Sequence, residues 1–167
     1  MIAIEPITMQ NAGVFKETRL RALQDSPGAF GSTYAREAQF SDADWALRIE
    51  RWNGERGIGF LAMDGDSACG IAGALLEDGD GTVAQLVSMW TAPTHRGRGV
   101  GRLLVDGVLG WAARRGVGVL TLKVTSNNDA AMAFYERLGF IRTGKTTPYP
   151  NDPAVVEYEM SQPVGLR

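Results

Sequence analysis

"TVAQLVSMWTAPTHRGRGVGRLLVDGVLGWAARRGVGVLTLKVT", residues 82–125, decides the fold. An apolar run over Thr82–Thr91 enters a loop with arginines at 96, 98 and 102 and glycines at 97, 99 and 101. Then Val100, Leu103, Leu104, Val108, Trp111 and Ala112 fall on one stripe, with Arg102, Asp106 and Arg114 off it. That is the period of an amphipathic helix over about 100–115. "VGVLTLKVT" (117–125) returns to strand. A right-handed crossover through the helix would make the two strands parallel neighbours.

Upstream, residues 60–93 hold three apolar runs separated by "DGDS" and "EDGDG", the Asp-Gly chemistry of hairpin turns. Three consecutive antiparallel strands are expected, the last being 82–91. Further back come a short strand in "MIAIEPI", a helix from Thr8 to about Leu23 stopped by "DSPG", and a loop-like "AFGSTYAREAQF". Ser41 then caps a helix in which Trp45, Ile49 and Trp52 recur at helical spacing, and "NGERG" closes it. Downstream, "SNND" reads as a capping box with Ser126 at the cap and Asp129 three residues on, opening a helix that runs to Leu138 and stops at Gly139. Strands at about 140–147 and 154–160 complete the chain. The order predicts an α/β (α+β) fold with one domain over 1–167: a single mixed, mostly antiparallel sheet of about seven strands with helices on both faces.

The 167 residues are 44% apolar and 22% charged, and no segment approaches the roughly 18 apolar residues of a membrane helix. No secretory signal is visible at the start, so a cytoplasmic location is expected. A net charge of −2 argues against a broad nucleic-acid face. Cys69 is alone and reads as a small buried hydrophobe, and one histidine with one cysteine supply too few ligands for a zinc site. No metal, membrane or nucleic acid is expected.

Two stretches compete for a phosphate. "GFIRTGKT" (139–146) satisfies the P-loop expression G-x-x-x-x-G-K-[ST], but a P-loop needs a strand before it and a helix after it. Here a helix precedes, and Pro148, Pro150 and Pro153 follow. "HRGRGVGR" (95–102) has the right setting, between strand and helix, with glycines that let successive amides point at an anion on the helix N-terminus. Arg102 stands where a dinucleotide fingerprint wants its third glycine, which disfavours a Rossmann site.

Arg96-Gly97-Arg98-Gly99-Val100-Gly101 matches R/Q-x-x-G-x-G/A, and "NDAAMAFYERLGF" (128–140) matches N-x-x-A-x-x-x-Y-x-x-x-G-F. On these two motifs, each on its expected element, the chain resembles the GNAT superfamily of N-acetyltransferases, and "ALQDSPGAFGSTYAREA" (22–38) resembles small bacterial-type members. The resemblance implies transfer of an acetyl group from acetyl-CoA to a primary amine of a small molecule or protein, by direct attack on the thioester. It places the CoA pyrophosphate at Arg96, Gly97, Arg98, Gly99, Val100, Gly101 and Arg102, and the pantetheine arm along Met89, Trp90 and Thr91, where the family has a bulge. It makes Tyr135 the general acid for the departing thiolate, a phenol of pKa near 10 facing a thiol near 8.5. Tyr135 also fits as a core aromatic, and two roles are open to Asn128, helix cap and pantetheine contact.

Relatives with an evident base carry a glutamate on the strand before the phosphate loop. "TVAQLVSMWT" has none; Gln85 and Ser88 stand there, Glu77 and Asp78 lie at the preceding turn, and His95 belongs to the phosphate side. The missing carboxylate is what would support a non-catalytic acyl-CoA-binding module instead. Phe30, Tyr34, Trp90 and Tyr149, with Gln85 and Ser88, are the candidates for the acceptor pocket. Dimers are common among similar proteins, so a homodimer is open.

Overall fold

The computed structural model describes residues 1–165. In chain order the elements are β1 (Ile2–Pro6), α1 (Ala12–Asp25), α2 (Tyr34–Glu37), α3 (Asp42–Glu50), β2 (Gly57–Asp64), β3 (Ser67–Leu76), β4 (Val83–Thr91), α4 (Val100–Arg114), β5 (Val119–Thr125), α5 (Asp129–Arg137), β6 (Ile141–Tyr149) and β7 (Asp152–Pro163). The seven strands form one sheet in the order β1-β2-β3-β4-β5-β7-β6. β1 to β4 pair antiparallel, β4 and β5 are parallel through the α4 crossover, and β7 enters between β5 and β6.

Helices cover both faces. A side-chain carbon at Gly70 of β3 would press on Val100 and Leu104 of α4, whereas one at Gly73 would meet the Trp52 ring on the opposite face. Trp52 lies flat over Gly59 and Gly73, and Phe15 of α1 meets Trp45 and Trp52 edge-on at 5.7 and 5.4 Å between centroids. On the α4 face, Gly107 lets Ile4 and Phe60 approach the helix axis. The two apolar layers meet around fully buried Phe15, Leu61, Ile71, Leu104, Leu120 and Met160.

Several local expectations change. The first helix starts at Ala12, after a single 3-10 turn (Met9–Asn11) capped by Thr8. The loop-like stretch contains α2, one helical turn capped by Thr33. Ser41 caps α3 as expected, in a reciprocal box with Asp44. The cap of α5 is Asn128, not Ser126: the Asn128 side chain accepts from the Ala131 amide, while the Ser126 amide is taken by Val156 O of β7. The last two strands are longer than expected and form a hairpin with a two-residue connection, and the P-loop look-alike runs from the end of α5 into exposed β6, with no helix after it.

Candidate active site

The β4–β5 pairing covers only Val83↔Val119, Ala84↔Leu120 and Gln85↔Thr121, after which the strands part. The cause lies in β4. Its register with β3 slips between Ile71 and Gly73, and Ser88 has φ of 58°, the one described non-glycine residue in the left-handed region. One extra residue there bends the strand and leaves its far edge without a neighbour. Arg19 of α1 reaches the bulge, its Nη1 donating to Ser88 Oγ at 3.2 Å.

The parted strands open two adjoining cavities. The first, of about 840 Å³, runs over Met89, Trp90 and Thr91 to the start of α4. Gly97 and Gly99 have φ of 75° and 83°, the left-handed conformation that glycine adopts without strain, and a side-chain carbon at either would meet nothing within 4 Å. The first α4 hydrogen bond runs from Leu103 N–H to Gly99 O, so the Val100, Gly101 and Arg102 amides belong to the unpaired first turn. Gly101 is glycine for another reason: a carbon there would sit 2.6 Å from Phe134 Cζ of α5. α4 and α5 therefore touch at this point.

The three arginines separate. Arg96 lines the cavity but is held, donating to Thr91 O at 3.0 Å and to Asp25 Oδ2 at 2.7 Å. Arg102 lines it as well. Arg98 does not; its charge lies near Asp64, which His95 Nε2 meets at 2.9 Å.

The second cavity, of about 390 Å³, lies beyond the bulge. Gln85 and Ser88 border it, as do Phe30 and Tyr149. Tyr149 is nearly buried, its hydroxyl donating to Phe30 O at 2.5 Å. Tyr34 is exposed on α2 and lines neither cavity, and Trp90 lines the first, its indole donating to Asp25 at 3.0 Å. Met89, Thr125, Asn128 and Tyr135 border both cavities and so mark where they meet. Tyr135 projects from α5 against Phe134 and Phe140, and burial pushes its phenol above the usual value of 10. At neutral pH it is a hydrogen-bond donor.

Two features escape the sequence. Glu37, with no exposed side-chain surface, holds Arg19 through both carboxylate oxygens (2.9 and 3.0 Å) and Arg48 at 2.6 Å. Burial alone would raise its pKa, but the two guanidiniums outweigh it and bring the carboxyl from 4.5 down to about 2. Phe30 stacks on Arg19, 4.7 Å from guanidinium to centroid. The second is Glu157 of β7, which lines the second cavity. Glu77 accepts from Thr121 Oγ1 at 3.2 Å, away from both cavities.

A family model for the acetyltransferase (GNAT) family matches residues 20–140. The chain belongs to this family. Among curated relatives, streptothricin acetyltransferase of Streptomyces lavendulae is 45% identical over 53 residues, covering 32% of this chain and 28% of that protein. N-alpha-acetyltransferase RimI of Mycobacterium tuberculosis is 40% identical over 73 residues, 44% of each chain. The match thus spans less than half the length of these relatives. The structure of YncA from Salmonella typhimurium, solved with its cofactor acetyl-CoA, superimposes with a TM-score of 0.79 at 17% identity, over 100% of this chain and 96% of that one. The GNAT chain carries its bulged strand, the start of α4 and Tyr135 along its two adjoining cavities.

Proposed function

We propose that this chain is an N-acetyltransferase that moves an acetyl group from acetyl-CoA to a primary amine. The observation that carries the reading is the pair of cavities meeting at Met89, Thr125, Asn128 and Tyr135: one ends on a helix N-terminus, the other on a smaller pocket lined by both polar and apolar side chains. The residues fit CoA. The pyrophosphate would take the first-turn amides of α4, entered through Gly97 and Gly99, with Arg96 and Arg102 adding charge. The pantetheine amides would pair with the free edge of β4 at Met89–Thr91, as a strand adds to a sheet. Asn128 both caps α5 and faces this arm.

The thioester would then lie where the cavities meet. A backbone amide at the bulge would meet the developing oxyanion. Tyr135 donates a hydrogen bond to the departing sulfur. With its phenol above 10 and a thiol near 8.5, full proton loss from Tyr135 runs uphill, so it acts as a donor that stays protonated. The amine would enter through the second cavity, past Gln85, Ser88, Phe30 and Tyr149. At about 390 Å³ that space suits a small amine or the end of a peptide.

The single sheet supports reading 1–167 as one N-acetyltransferase domain, its last two residues lying outside the described ones. A cytoplasmic setting belongs to the same reading, because a highly charged co-substrate does not cross membranes unaided. The test is thiol release from acetyl-CoA in the presence of a broad panel of primary amines. Turnover with at least one is expected, and Tyr135→Phe should lower kcat by about 100-fold with CoA affinity unchanged. CoA binding without turnover on any amine would make this an acyl-CoA-binding module.

A further inference from the structure

Glu157 is the only acidic residue lining either cavity among the described residues. The neighbouring carboxylates are engaged elsewhere: Glu37 with Arg19 and Arg48, Asp25 with Arg96 and Trp90, Glu77 with Thr121. Among the described residues none hydrogen-bonds or ion-pairs with the Glu157 carboxylate. In the antiparallel register Glu157 stands opposite Thr125 of β5 and Thr147 of β6, so the three share a face of the sheet. Opposed residues are about 5 Å apart at Cα. Thr125 borders both cavities, which puts Glu157 one strand away from the place where they meet.

Resting on the function proposed above, we infer that Glu157 receives the acceptor as an ammonium and takes its proton, so that the acceptor class is a cationic primary amine. One N–H proton passes to the Glu157 carboxylate and on to water. The freed nitrogen lone pair forms the C–N bond at the thioester carbonyl, and the C–S bond breaks with its electrons going to sulfur. The second proton leaves the nitrogen for that sulfur, beside Tyr135. Amide, thiol and one solvent proton balance ammonium and thioester. This supplies the base that β4 lacks, from a strand on the other side of the gap. Burial raises the Glu157 carboxyl above its ordinary value, with Lys123 of β5 opposing, which brings the base nearer neutrality. The other ionisable groups bordering this cavity are Arg19 of α1, Lys123 itself, Tyr135 of α5 and Tyr149 of β6.

The test compares wild type with Glu157→Gln, an isosteric change, on acetyl-CoA with a panel of primary alkylamines and with hydroxylamine, a weakly basic amine largely uncharged at pH 7. The variant should lose about 100-fold in kcat/KM for alkylamines, stay within a few-fold on hydroxylamine, and bind CoA as wild type does. Glu157→Asp should recover part of the alkylamine rate. An unchanged alkylamine rate, or equal losses on both kinds of amine, overturns the role of Glu157 while leaving acetyl transfer standing. A second readout does not need turnover: calorimetric titration of the CoA complex with benzylammonium chloride. Binding that Glu157→Gln abolishes supports the ammonium site even if no amine is acetylated. A wild-type CoA complex that neither binds nor acetylates any amine overturns both readings.

Discussion

Replacing Glu37 by glutamine tests how the acceptor side is held together. The carboxylate is fully enclosed and carries two guanidiniums, one of which, Arg19, reaches on to Ser88 at the bulge. Its pKa of about 2 lies roughly 2.5 units below the unfolded value of 4.5. At 1.36 kcal/mol per unit, ionised Glu37 contributes about 3 kcal/mol to folding. The folded pKa is depressed, so this contribution is complete above pH 4.5 and disappears as pH falls toward 2. The glutamine keeps the shape but leaves buried Arg19 and partly buried Arg48 without their counter-charge, and breaking a buried pair in this way costs about 3–5 kcal/mol. Urea unfolding of both proteins, followed by tryptophan fluorescence at several pH values from 7 to 2.5, reads the difference directly. It should be about 3 kcal/mol at pH 7 and shrink steadily below pH 4.5. A difference under 1 kcal/mol at pH 7, or one independent of pH, would refute the picture of a charged, stabilising Glu37. Because Arg19, which donates to Ser88 at the bulge, loses the ion pair that anchors it, KM for the acceptor should rise more than CoA affinity falls.

Two glycine substitutions separate the parts of the cofactor cradle. Gly99→Ala forces a left-handed residue at the cap of α4, a strain of about 1–2 kcal/mol, and should weaken CoA binding by roughly 5- to 30-fold in calorimetry. Gly101→Ala pushes a carbon against Phe134 and should act by displacing α5, lowering kcat through Tyr135 and destabilising the fold by about 1–3 kcal/mol.

The crossover unit was legible because its signals are local: a helical stripe from Val100 to Ala112, Asp-Gly turns before it, and a glycine loop between strand and helix. The P-loop look-alike could be rejected on the same local grounds. The insertion of β7 between β5 and β6 could not be read, since it depends on pairing between segments far apart in the chain, such as Leu122↔Met160. Glu157 was hidden for that reason. In "AVVEYEM" it looks like any polar residue alternating along a strand, and only the register with Thr125 brings it to the cleft. Glu37 was hidden because one turn of helix leaves almost no pattern; the Thr33 cap was the available signal. Ser126 was mistaken for a cap because Ser and Asn are both good N-caps. The β7 carbonyl that takes its amide was not visible in sequence.

Acetyl-CoA seated on the α4 cradle, with its thioester where the two cavities meet, is tested most directly by titrating isotopically labelled protein with acetyl-CoA and following each backbone amide by NMR. Shifts should concentrate at Gly97–Arg102, Met89–Thr91 and Asn128, with none at Thr143–Thr146 of β6. Shifts at β6 without any at α4, or no saturable change, would contradict the assignment.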